Sequence, residues 1–311
     1  MKYNLSLPDN LRQQLDSRKK EKNFSIYSDH ESTTNIKIIT SPSDVGVMRN
    51  GGRQGAYLGP KVILNEFGKF QSSSHKHKSI SIQNVTELTL EIENFEKSQI
   101  NQSTKIQNCL NKNTLSTIVH LGGGHDHIFP LLMALENNYE KKEINILNID
   151  AHLDTRIDKL PHSGTPFRQY DQHTSRKFQL NQLGIQQESN TVANFTDLKN
   201  GIMSISSIEE LAFSEKSEIK KLIERKMPKL DNTLHVLSID IDALDGSDFT
   251  SCSAVNPCVI SFHQLCEIVE AYKENLTHPP IVGIYEYNPI YDDVSNSDAK
   301  KIAWIINQII K

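Results

Sequence analysis

Three times in this chain a strand-length apolar run ends abruptly in acidic and histidine side chains, and that recurrence limits what the chain can become. The middle run, 144–149, is followed at once by Asp150, His152 and Asp154. A continuous apolar run of this length reads as a buried strand, and on an extended backbone positions two apart point the same way. The spacing predicts that Asp150, His152 and Asp154 face one point. An earlier run, 116–121, leads into Gly122-Gly123-Gly124-His125-Asp126-His127. Glycines without a Cβ let the backbone turn tightly there and present His125 at the strand's carboxyl end. The last run, 233–240, places Asp240 and Asp242 at its end. A polar turn after a strand would account for one such group, but two unpaired carboxylates at a buried strand end are prohibitively costly without a cation.

Two histidines and four aspartates are more ligands than one ion takes. The set is rich in hard oxygen donors and contains no thiolate, so it predicts two Mn²⁺ per chain rather than Zn²⁺, bridged by shared carboxylates at about 3.5–4 Å. Asp126, His127 and Asp245 adjoin these residues and read as supports for the ligands.

The rest of the chain is consistent with a frame for that centre. At 311 residues with 37% hydrophobic content, the chain can bury a large core. A net charge of -4 without a basic block argues against nucleic acid, and no apolar run approaches a membrane span, so a cytoplasmic protein is expected. Cys109, Cys252, Cys258 and Cys266 form no Cys-x-x-Cys pair and read as free thiols. Residues 1–34 are polar with little periodicity and are expected to be a flexible or loosely docked lead-in. From 35 onward, strands are expected at 35–40, 117–121, 144–149, 178–185, 201–206, 233–240 and 281–285. Helices are expected at 61–67, 88–109, 128–137, 208–225, 261–275 and 297–310, with a surface loop at 72–78. Such alternation predicts a single α/β domain over 35–311, in three α/β/α layers around a mostly parallel sheet, with ligands beyond the carboxyl ends of the strands.

Gly-Gly-Gly-His-Asp, Asp-Ala-His-Leu-Asp and Ser-Ile-Asp-Ile-Asp-Ala-Leu-Asp, in this order, resemble the ureohydrolase superfamily of arginase, agmatinase and formimidoylglutamase. The resemblance spans about 44–289. Two further segments look like the formimidoylglutamase form: the glycine-rich loop with Arg49, Asn50, Arg53, Gly55, Gly59 and Pro60, and His162-Ser163-Gly164-Thr165-Pro166-Phe167. The resemblance implies that His125 and Asp154 hold one Mn²⁺, His152 and Asp242 the other, and that Asp150 and Asp240 bridge. It further implies that Asp154 relays a proton, that His162 shuttles protons at the mouth, and that Glu286, in Glu-Tyr-Asn-Pro, holds the amidine nitrogens. Arg156 is expected to pair with a substrate carboxylate, with Asn50 and Arg53 near it. The implied reaction is hydrolysis of an amidine, most closely N-formimidoyl-L-glutamate to L-glutamate and formamide, by a homo-oligomer acting on a small molecule in histidine degradation. Arginase, agmatinase, guanidino-acid hydrolase and a catalytically silent metal-binding relative are the alternatives. The loop at 246–257 departs from the superfamily pattern, which leaves that wall of the pocket open.

Overall fold

The computed structural model describes residues 35–71, 79–112, 114–257 and 260–311. The lead-in expected over 1–34, the loop expected over 72–78 and Cys258 lie outside the described residues.

The apolar runs form eight strands: β1 (Ile36–Ser41), β2 (Ile80–Asn84), β3 (Thr117–Gly122), β4 (Glu143–Ile149), β5 (Phe178–Ile185), β6 (Gly201–Ser207), β7 (Thr233–Asp240) and β8 (Ile281–Tyr285). They make one sheet in the order β2-β1-β3-β8-β7-β4-β5-β6, parallel at every pairing. The described helices are α1 (Val45–Arg49), α2 (Gly59–Gly68), α3 (Leu88–Glu93), α4 (Phe95–Cys109), α5 (Ile128–Asn138), α6 (Pro166–His173), α7 (Ile208–Ala212), α8 (Lys216–Lys226), α9 (Phe262–Glu274) and α10 (Ser297–Ile310).

Strands β1, β7 and β8 are buried along their whole length, polar residues included, as in a sheet covered on both faces. Side-chain alternation divides each central strand between two cores. In β7, Leu234 and Val236 pack with residues of α4, α5 and α6, whereas Leu237 and Ile239 pack with residues of α2, α8, α9 and α10. These are the three expected layers.

Local chemistry moved several boundaries. The single helix expected over 88–109 breaks at Asn94 (φ -152°, ψ 85°), whose side chain accepts from the Lys97 N–H and starts α4 afresh. The helix expected over 208–225 is likewise two, because Glu215 and Glu218 form a reciprocal cap that begins α8. Strand β2 was not among the expected strands; its five residues mix apolar and polar types, and only Ile80 and Ser81 are buried. Helix α1 lies where the glycine-rich loop begins, and α6, a helix not among those expected, begins on Pro166, whose fixed φ suits a first turn.

The turn after β3 is built on contact that only glycine allows. Gly123 donates its N–H to the Ser41 carbonyl and Gly124 to that of Ser43, and a Cβ on Gly123 would lie 1.9 Å from the Ser43 oxygen. Gly123→Ala should cost about 1–3 kcal/mol through forced displacement of that backbone, seen as a lowered thermal midpoint; an unchanged midpoint would show that the turn yields freely.

Candidate active site and metal centre

Strands β3, β8, β7 and β4 are consecutive in the sheet, so their carboxyl ends lie side by side. The residues just beyond them form one floor. After β4, Asp150 Oδ1 accepts the His152 N–H at 2.7 Å; after β7, Asp240 Oδ1 accepts the Asp242 N–H at 2.8 Å. In both places an aspartate bonds the backbone two residues on, which turns the chain at the strand end. The extended backbone expected over 150–156 is therefore absent: β4 stops at Ile149, and Asp154 takes a left-handed φ of 50°. Convergence arises from that turn and not from strand alternation.

Two groups result. His125 Nδ1 lies 2.8 Å from Asp154 Oδ2 and 3.2 Å from both Asp150 Oδ2 and Asp240 Oδ2. His152 Nδ1 lies 3.0 Å from Asp242 Oδ2 and 3.5 Å from Asp150 Oδ1. Asp150 thus gives one oxygen to each group. Asp240 Oδ2 stands in the first group, and its Oδ1 accepts the Asp242 N–H just as Asp150 Oδ1 accepts that of His152.

These residues fit divalent cations. One imidazole nitrogen cannot donate to three carboxylates at once, and neither His125 Nδ1 nor Asp242 Oδ1, both buried, makes a properly directed hydrogen bond. His125 Nε2 bonds Ser238 Oγ at 2.8 Å, which leaves Nδ1 with a lone pair toward the carboxylates, as a metal ligand requires. Tyr285 stacks on the ring at 5.1 Å and Phe167 meets it edge-on at 5.6 Å, fixing its orientation.

Without cations the acids strain against one another. Burial, then the charges of Asp242 and Asp150, raises Asp240 well above the usual carboxylate range. Burial and Asp150 lift Asp154 to about 6. Burial also lifts Glu286 to about 8, helped by Asp242 and Asp126 and opposed by the His125 N–H. Asp150 goes the other way, because the two imidazoles outweigh the penalty of its burial. Burial pulls the His125 ring down, but Asp150, Asp154 and Asp240 together hold it well above its ordinary value. Asp242 raises His152 to about 12.

A cleft of about 290 Å³ opens over this floor. Asp154, Asp240, Asp242, His152 and Glu286 line its base. Glu286 follows β8 with φ 66°, donates its N–H to the Gly123 carbonyl and accepts the His125 N–H on Oε1 at 3.0 Å. At the rim, Arg156 Nη1 donates to Asn50 Oδ1 at 2.7 Å, and Asn50 Nδ2 donates to Ser163 Oγ. Arg156 is exposed and lines the cleft together with Asn50.

Arg53 and His162 do not line this cleft. The Arg53 guanidinium donates to the carbonyls of Cys252 and Ser253 and lies over the Tyr291 ring at 4.0 Å, so it pins a wall and is not free for a ligand. Arg49, the other arginine of the glycine-rich loop, is tied to Glu96 at 3.0 Å and lies over Phe95. His162 is buried; its Nδ1 accepts the Gly164 N–H and its Nε2 faces Asp158 at 2.8 Å. Ser163, Ser189, Asn194 and Ser253 line the cleft without having been expected. Nothing in the sequence distinguished these small polar loop residues from solvated ones.

Known proteins share both the sequence and this architecture. The formimidoylglutamase of Staphylococcus haemolyticus is 28% identical over 279 residues, covering 89% of this chain and 86% of the relative. That of Rhodococcus jostii is 28% identical over 284 residues, covering 88% and 84%. Among solved structures, Trypanosoma cruzi formiminoglutamase with Mn²⁺ superposes with a TM-score of 0.75 at 22% identity, over 93% of this chain and 97% of that one. Bacillus subtilis formimidoylglutamase gives 0.78 at 18% identity, over 100% and 95%. The sequence model of one family, hydrolases acting on carbon–nitrogen bonds, matches residues 34–311, and the chain belongs to it: it is a member of the arginase family.

Proposed function

We propose that this chain hydrolyses N-formimidoyl-L-glutamate to L-glutamate and formamide with two Mn²⁺ ions. The observation that carries the reading is one cleft with an acid- and imidazole-lined base, Glu286 beside it, and a single guanidinium, Arg156, held at the rim by Asn50. His125, Asp150, Asp154 and Asp240 would hold one ion, and Asp150, His152 and Asp242 the other. When bound, the ions supply Lewis acidity and lower the pKa of water to near neutrality. The named relatives, and the Mn²⁺ form of the Trypanosoma cruzi enzyme, support this reading.

The chain's own groups account for the rest. Arg156 takes a substrate carboxylate in a bidentate pair, and Asn50 sets its guanidinium in place. Glu286, with Oε1 engaged by the His125 N–H, offers Oε2 to the amidine nitrogens. Water oxygen bonds to the amidine carbon, the bond from that carbon to the glutamate nitrogen breaks, and Asp154 passes the proton to the departing nitrogen. His162 orders the turn carrying Ser163 and Gly164; a shuttling role would need that turn to open. Arg53 shapes the wall at Ser253. A cationic substrate such as agmatine would leave Arg156 without a partner and meet its repulsion. Among the described residues no helix is long and apolar enough to cross a membrane.

Three outcomes are expected. Protein reconstituted with Mn²⁺ and given formimidoylglutamate, arginine, agmatine and guanidinobutyrate in parallel should show its highest kcat/KM on formimidoylglutamate; preference for either cationic substrate would overturn the reading. Arg156→Ala removes a charge-assisted pair normally worth about 1.5–3 kcal/mol, so KM should rise roughly 10- to 100-fold while metal content stays constant. A KM within about twofold of the parent would mean that the carboxylate contact does not exist.

The third concerns pH. Asp154 and Glu286 bind protons more tightly folded than unfolded, up to about 6 and about 8, and His125 and His152 do likewise. Stability from groups raised by folding is complete below their unfolded pKa and is lost as pH climbs through the folded one. The lowered Asp150 contributes the opposite slope only below its ordinary 3.8, and the buried His120, His235 and His278, lowered by folding, do so only below their ordinary 6.5. Chelator-treated protein should therefore lose thermal stability from about pH 6.5 to about pH 8, and Mn²⁺ should abolish that slope by taking the protons' place. A flat profile in chelator would contradict it.

A further inference from the structure

The turn that carries Ser163 and Gly164 is closed by a pair of side chains, Asp158 and His162, that stand outside the cleft. Gly164 donates its N–H to His162 Nδ1 at 3.0 Å, so that nitrogen carries no proton and the N–H of the ring is on Nε2. Nε2 donates in turn to Asp158 Oδ2 at 2.8 Å. The other tautomer would set two N–H groups against each other at Gly164 and leave the carboxylate facing a lone pair. Asp158 thus selects the tautomer that holds the turn.

From this turn two contacts reach the rim. The Gly164 carbonyl accepts the Arg156 N–H at 3.1 Å, and Ser163 Oγ accepts from Asn50 Nδ2 at 3.2 Å, while Asn50 Oδ1 takes Arg156 Nη1 at 2.7 Å. The turn itself is braced: the Gly46 carbonyl accepts the Ser163 N–H, and Thr165 Oγ1 bonds both the N–H and the carbonyl of His162. Packing joins the same partners, for a Cβ on Gly164 would stand 3.2 Å from His162 Cε1 and 3.3 Å from both Arg156 Cδ and Asn50 Nδ2. A displaced His162 ring is therefore felt at the guanidinium. Arg156 is long and exposed, and without this support it would sample many rotamers, which binding would have to freeze at a cost in affinity.

We propose that Asp158 and His162 are positioning residues that set the preference for acidic substrates by holding Arg156 and Asn50 in place at the rim. The inference rests on the reading of Arg156 as the partner of a substrate carboxylate. Asp158 acts through its neighbour alone, since its side chain is half exposed and does not line the cleft.

In the Mn²⁺-loaded full chain, Asp158→Ala and His162→Ala should each raise KM for formimidoylglutamate roughly three- to tenfold, the weight of one ordinary hydrogen bond, with kcat changed by less than about twofold. His162→Asn, whose amide oxygen stands near the place of Nδ1 and can accept the Gly164 N–H, should recover most of that loss. Added to Arg156→Ala, Asp158→Ala should raise KM no further. A fall in kcat at unchanged KM would overturn the proposal, because it would make His162 a proton carrier, and so would a full Asp158 effect in the Arg156→Ala background. Amide hydrogen exchange over 162–165 needs no substrate: it should quicken in Asp158→Ala, and a rate equal to the parent's would refute the holding role by itself. Poor turnover of formimidoylglutamate by the parent would count instead against the reading of the cleft, and exchange then decides the holding role alone.

Discussion

Asp150 places one carboxylate oxygen beside each of two imidazoles, and the geometry around it follows from that sharing. A fully buried acid is tolerable only where positive charge or well-aimed donors meet it. Here one oxygen also accepts the His152 N–H, and Asn148 approaches the other at 3.3 Å. Around this group stand Asp154, Asp240, Asp242 and Glu286, each pushed toward its protonated form by burial and by its neighbours. Such a concentration of acid destabilises the cation-free fold. It turns into binding energy for divalent ions, because the repulsion relieved on binding is already present in the folded chain.

The sheet bears the cost of holding this arrangement. Parallel strands buried on both faces give rigid ends, and the four that flank the centre are held by uninterrupted ladders with layered apolar cores on either side. On that frame two of the three non-glycine residues with positive φ among the described residues, Asp154 and Glu286, sit in the cleft. Side chains pay for that conformation, and it persists where surrounding structure over-determines it. Glu286 is fixed by the Gly123 carbonyl and the His125 N–H at once, so the turn after β3 and the turn after β8 cannot shift separately.

Charge is graded across the cleft. Its base collects carboxylates and imidazoles, whereas the rim presents one guanidinium oriented by a neutral amide. The other two arginines of the glycine-rich segment carry structural loads, Arg49 against Glu96 and Phe95 and Arg53 against the 252–253 carbonyls and Tyr291. Among the described residues Arg156 is the one arginine that lines the cleft, so the cleft carries no general positive field, in keeping with a net charge of -4.

How much of this was legible depends on the range of the interaction concerned. Apolar-rich runs such as 144–149 and 233–240 announced buried parallel strands, because their apolar residues fall on both faces and do not alternate strictly with polar ones. The clusters of Asp and His at the ends of those runs announced the centre, since no stable core places so many carboxylates together without purpose. Tertiary structure decided what depends on contacts distant in sequence. It sent the Arg53 guanidinium 199 and 200 residues along the chain to Cys252 and Ser253 instead of into the cleft. Other departures were local and were missed because a cap or turn outweighs periodicity: the breaks at Asn94 and Glu215, and the turn after Asp150. Sequence determined which residues had to be buried or paired; only the packed chain determined with whom, because hydrogen-bond partners and charge neighbours are set by the meeting of strand ends and loops that no local pattern encodes.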